Sequence, residues 1–135
     1  MSLTLSAAED ELIAGAPRAL LRAEGAALGL AAIALYAAGG HSLPLFAALF
    51  LAPDLSFAGY LAGPRVGAAA YNALHWTVLP LALAGLGWGF ASPAALAVAL
   101  IWLAHIGVDR ALGYGLKYAS GFSDTHLGRV GARRS

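Results

Sequence analysis

Residues 53–75 read PDLSFAGYLAGPRVGAAAYNALH, and they place an aspartate, an asparagine and a histidine within an otherwise apolar run. The Gly63-Pro64-Arg65 step in the middle has the composition of a tight turn at a membrane surface. On either side, the chain is apolar enough for a bilayer. A polar side chain facing lipid is costly, so Asp54 and His75 are expected to face a protein interior. The rest of the chain agrees. Of 135 residues, 60% are hydrophobic and 11% charged, against about 25% charged in an ordinary soluble domain. With a mean hydropathy of +0.73, a water-soluble fold would carry an implausibly apolar surface. The expectation is an integral membrane protein of one domain, all-α.

Working outward, four spans are predicted at about 17–38, 43–62, 64–90 and 93–118, each long enough for a bilayer. Proline opens the first span, and Gly39-Gly40 closes it. Its Gly25-xxx-Gly29 spacing allows a close helix contact. The second is expected to kink or break at Pro53, near Ala52, because proline lacks an N–H and clashes with the preceding turn. The third is expected to bend at Pro80. Residues 1–16 read as a short amphipathic lead with a capping box at Ser6–Glu9, and 121–135 as a polar tail. No cleaved signal peptide is expected, since Glu9, Asp10 and Glu11 stand where a basic leader would begin.

The eight basic residues, Arg18, Arg22, Arg65, Arg110, Lys117, Arg129, Arg133 and Arg134, lie near the N-terminus, the 63–65 turn or the C-terminal end. The connections around His41 and Ser92 carry none. Four spans with both termini cytoplasmic, in a bacterial cytoplasmic membrane, satisfy the positive-inside rule. The net charge of +1 gives no reason to expect a nucleic-acid partner, and the absence of cysteine excludes disulfides, thiolate metal sites and a cysteine nucleophile. Membrane lipids are the expected partners, and the small-residue helix faces would allow a homo-oligomer.

Depth from the expected cytoplasmic ends brings several polar groups to one level. At about 1.5 Å per residue, Asp54 lies about 14 Å in, His75 and His105 about 16 Å, and Glu24, Asn72 and Asp109 about 11 Å. His105 and Asp109, four apart, share a helix face, and Tyr71 stands four before His75. Two imidazoles with two or three carboxylates suit zinc, manganese or iron, so Asp54, His75, His105 and Asp109 form the expected metal set. Asn72 or a second carboxylate would orient a histidine through its other nitrogen. Asp54 or Glu24 would serve as general base toward a metal-activated water. Arg65, Arg110, Asn72 and Tyr71 are the expected substrate or anion contacts, and His126 in the tail would cap the mouth.

Other readings stay open. The same groups could fix helix register by pairing, with Arg110 neutralising a carboxylate. They could also carry protons in a small transporter or channel, or hold a haem between His75 and His105. A structural lipid-binding role needs none of this chemistry.

The strings at 53–75 and 105–128 (HIGVDRALGYGLKYASGFSDTHLG) resemble the bacterial membrane-protein family called domain of unknown function 4260. The resemblance implies no established activity. It implies that Asp54, Tyr60, Arg65, Asn72, His75, His105, Asp109, Arg110, Lys117, Thr125 and His126 stand in motif positions. A looser likeness is to small membrane proteins labelled as metal-dependent hydrolases, which also combine a Pro-Asp segment with later histidines.

Overall fold

The computed structural model describes residues 16–116, 124–125 and 128–129. Five α-helices follow in order: α1 (Ala16–Ala38), α2 (Leu43–Leu49), α3 (Pro64–His75), α4 (Val78–Gly89) and α5 (Pro93–Leu112). A 3-10 segment, Ala52–Ala62, lies between α2 and α3. A two-residue antiparallel pair, Asp124–Thr125 with Gly128–Arg129, is the one strand pairing among the described residues. The expected amphipathic lead and most of the polar tail, with His126, lie outside the described residues.

Among the described residues, three segments are long and apolar enough to cross a membrane: Pro17–Ala38, Leu43–Ala62 and Pro93–Leu112. Many large apolar side chains, in these segments and near residues 86–90, are turned outward. Leu61 is 93% exposed, and Leu30, Leu43, Leu55, Trp88 and Phe90 are also exposed. In water such a surface would drive association, whereas hydrocarbon surroundings remove that penalty.

Helix breaks occur where proline deletes a backbone hydrogen bond. Pro53 cannot donate to the Leu49 carbonyl, and α2 ends at Leu49. The chain then tightens into 3-10 turns, with the Asp54 N–H donating to the Leu51 carbonyl at 3.0 Å. The expected 64–90 span is divided differently from the bend predicted at Pro80. Proline acts on the carbonyl four residues earlier, which is that of Trp76, and Trp76 takes an extended conformation (φ −91°, ψ 125°). The result is two helices of 12 residues each. Pro80 itself sits in the first turn of α4, where no N–H partner is missed. The last span also ends earlier than residue 118. Gly113 adopts a left-handed conformation (φ 92°) and closes α5 at Leu112.

The helix α5 is the hub, packing against α1, α2 and α4. Its buried face runs Ala97, Ala99, Ile101, Leu103–Gly107. Two small clusters form the core: Ala32 with Leu103 and Ala104, and Tyr36 with Ala97 and Ile101. The α1–α5 crossing depends on glycine on both sides. A Cβ at Gly107 would overlap the Gly29 backbone, and one at Gly25 would overlap the Arg110 side chain. The Gly25-xxx-Gly29 pattern thus serves a contact within the chain. The 3-10 segment packs against α3, with the Tyr60 ring lying where a Gly67 side chain would be.

Candidate metal centre

Three elements bring four ionisable side chains to one point. Asp54 comes from the first turn of the 3-10 segment, His75 from the last residue of α3, and His105 and Asp109 from successive turns of α5. Ligand atoms of all four lie within 4.8 Å of one another. His75 Nε2 is 3.3 Å from Asp54 Oδ1 and 3.3 Å from Asp109 Oδ2. His105 Nε2 is 3.1 Å from each of the same two oxygens. The two Nε2 atoms are 3.2 Å apart.

These separations are the edges of a small polyhedron. A tetrahedral ion bound to nitrogen and oxygen at about 2.0–2.1 Å has ligand–ligand edges of about 3.3–3.4 Å. Five of the six edges match that size and the sixth, Asp54 to Asp109, is within 4.8 Å, so the cluster suits a first-row divalent cation. Both histidines are buried, while the side chains of Asp54 and Asp109 are 33% and 19% exposed. Access to the centre is thus from the Asp54 side.

The His75 tautomer is set by the backbone. Its Nδ1 lies 2.8 Å from the Tyr71 carbonyl, to which Nδ1–H donates. In the neutral ring Nε2 is then a bare lone pair aimed at the quartet. It faces two carboxylate oxygens and a second imidazole nitrogen at close range. Such a convergence of acceptors repels itself unless a cation, metal or proton, lies among them. The expectation that Asn72 or a carboxylate would hold the second ring nitrogen is replaced by this backbone contact. Tyr71 stacks on His75 with centroids 3.7 Å apart, and Phe50 meets His105 edge-on.

The helix break at Trp76–Thr77 frees carbonyls that α5 then occupies. Trp102 Nε1–H donates to the Leu74 carbonyl at 2.6 Å, and Arg110 donates through Nη2 to the His75 carbonyl at 3.1 Å. Both donors flank His105 and Asp109 on the same helix. The sequence alone gave no sign of this pairing, although a proline-broken helix always has orphan carbonyls to satisfy. Arg110, expected to contact an anion, thus also fastens α3 to α5.

The remaining expected site residues fall elsewhere. Glu24 is exposed on α1 and outside the quartet, so α1 contributes none of its four side chains. Arg65 is exposed in the first turn of α3, and Asn72 is half-buried on that helix. A haem held by both histidines would need the Nε2 atoms on opposite faces of a porphyrin. Here they share the same two carboxylate oxygens, which leaves no room for the ring.

A helical chain with this cluster is a protein with a potential metal centre among apolar helices. It belongs to the family described as Domain of unknown function (DUF4260), which matches residues 18–130. No curated protein and no solved structure matches the chain.

Proposed function

We propose that this protein is a membrane-embedded, metal-dependent hydrolase acting on a lipid-like substrate. The carrying observation is the convergence of Asp54, His75, His105 and Asp109 at edges of 3.1–3.3 Å around one point. Zinc, manganese and iron all accept two imidazoles and two carboxylates. The bound ion would supply a Lewis acid that makes water acidic enough to be a nucleophile near neutral pH.

The chain's own residues then divide the work. His75, with its Nδ1–H on the Tyr71 carbonyl, and His105 serve as neutral ligands, and Asp109 is the more enclosed carboxylate. Asp54 is the more exposed, so His75, His105 and Asp109 would remain the ligands and leave the fourth position to water, whose proton Asp54 accepts and returns to the leaving group. Water oxygen adds to the carbonyl or phosphoryl centre, and the ester oxygen leaves as an alcohol.

The membrane arrangement belongs to the same reading. The segments α1, α2 with the 3-10 stretch, α3 with α4, and α5 each cross a bacterial cytoplasmic membrane once, with both termini cytoplasmic. The distribution of basic residues supports this.

The test is turnover of a fluorogenic ester lipid by protein in nanodiscs, before and after chelation and metal return. Turnover should vanish with chelation and recover with one of the three metals. Asp54→Asn should keep folded protein but lower kcat by about 100-fold or more. Equal turnover in the chelated protein would refute the hydrolase reading.

A further inference from the structure

Beside the quartet lies an apolar cavity of ≈ 200 Å3, whose walls include Leu49, Pro53, Leu74, Val98, Ile101 and Trp102. Three of these residues are close in sequence to members of the quartet. Pro53 precedes Asp54, Leu74 precedes His75, and Trp102 stands one turn before His105. Of the lining residues, Ile101 is buried and Val98 is 36% exposed.

The cavity offers no hydrogen bonds through its side chains. The one polar side-chain atom among its lining residues, Trp102 Nε1, is already bonded to the Leu74 carbonyl. That bond also satisfies a carbonyl released by the helix break. A cavity of this character is dry and selects hydrocarbon over water.

Its place along the helices identifies the hydrocarbon. Counted back from the end of α5 at Leu112, His105 lies about 10 Å in, Trp102 about 15 Å and Val98 about 21 Å. One leaflet contributes about 15 Å of the hydrocarbon core. The order inward is therefore polar quartet, then an apolar cavity that reaches the midplane at Trp102 and passes it at Val98. A lipid in that leaflet has the same order, with the polar linkage near the surface and the chain toward the midplane.

We infer that this cavity is a chain subsite: it takes one acyl or comparable alkyl chain of a membrane lipid and lays the lipid's polar linkage against the quartet. This rests on the reading of the quartet as a reaction centre. Selection acts on a single unbranched chain whose far end reaches Val98, and Trp102, fixed by its hydrogen bond, forms a rigid wall.

The experiment uses the full chain in phosphatidylethanolamine–phosphatidylglycerol nanodiscs and a palmitate analogue with a diazirine near its end. After irradiation, adducts are mapped by peptide mass spectrometry, and metal content is measured on the same sample. Adducts should concentrate on Leu49, Ile101 and Val98, well above exposed Leu30 and Leu86. Val98→Trp should cut the Ile101 adduct several-fold at unchanged metal content, and Ala52→Leu, which narrows the cavity at a lining position in the 3-10 segment, should do the same. Even labelling of Leu30, Leu86 and Ile101, or an Ile101 adduct insensitive to both substitutions, would overturn the subsite. Failure of the reaction centre is read separately: a labelled cavity in protein that binds no metal would overturn that reading and leave the chain pocket standing.

Discussion

His75 and His105 place their Nε2 atoms 3.2 Å apart, although thirty residues and a helix break separate them in the chain. Each nitrogen also touches Asp54 and Asp109. His75 has already committed its other nitrogen to the Tyr71 carbonyl. Helix packing alone would not bring two carboxylate oxygens and the His75 Nε2 lone pair, all acceptors, to this spacing around a second imidazole. A cation among them turns the repulsion into binding, and several features of the fold keep the arrangement in register.

Trp102 and Arg110 tie the broken end of α3 to α5 through the Leu74 and His75 carbonyls. Trp102→Phe keeps most of the ring but removes the donor, and should lower stability by about 1 kcal/mol. Arg110→Gln should lower it by about 1.5–3 kcal/mol, the range for a charged donor. Thermal unfolding in detergent measures both. Unchanged midpoints would mean that these bonds do not hold the two helices together.

The α1–α5 crossing tolerates no side chain at Gly107, where a Cβ would meet the Gly29 backbone. Gly107→Val should destabilise by at least about 1–3 kcal/mol, the usual overpacking range. Gly85→Ala, with nothing within 4 Å of the new Cβ, should be neutral or stabilising by up to about 1 kcal/mol. The same unfolding assay compares them, and equal effects would contradict the close crossing.

Pro80→Ala restores an N–H that can reach the Trp76 carbonyl and lets α3 run on toward α4. His75 would then lose its position at a helix end, where Arg110 reaches its carbonyl. Metal affinity should fall about 10- to 100-fold, as when supporting contacts of a metal site are lost. Titration with a fluorescent metal competitor measures this, and unchanged affinity would show that the break is not needed for the centre.

The chain contains no cysteine, so single cysteines report sidedness cleanly. Arg65→Cys should react with an impermeant maleimide only in inverted vesicles, and Ser92→Cys only in intact cells. The opposite pattern would reverse the proposed orientation.

Much of this was legible in the sequence because proline, glycine and hydropathy act locally. Pro53 predicted the break in the second span, and of the four spans expected from the apolar runs, three are continuous segments long enough to cross a membrane among the described residues. The second break was misplaced because Pro80 acts through the carbonyl of Trp76, four residues upstream. Depth counting put Asp54, His75, His105 and Asp109 at one level, but it also included Glu24. Depth ignores rotation: Gly25 and Gly29 turn toward α5, and Glu24, about 100° from Gly25, turns away. The glycine spacing contained that rotation, had it been read as a contact within the chain. The Tyr71 carbonyl on His75 was hidden, since a bond to backbone carries no side-chain signal.

The central claim is that the quartet binds a metal ion, and elemental analysis of purified protein tests it most directly. The account predicts near-stoichiometric zinc, manganese or iron in the native protein, and loss of that metal from folded His75→Ala and Asp109→Ala variants. Native protein that is metal-free and refuses all three ions on reconstitution, or variants that keep their metal, would contradict it.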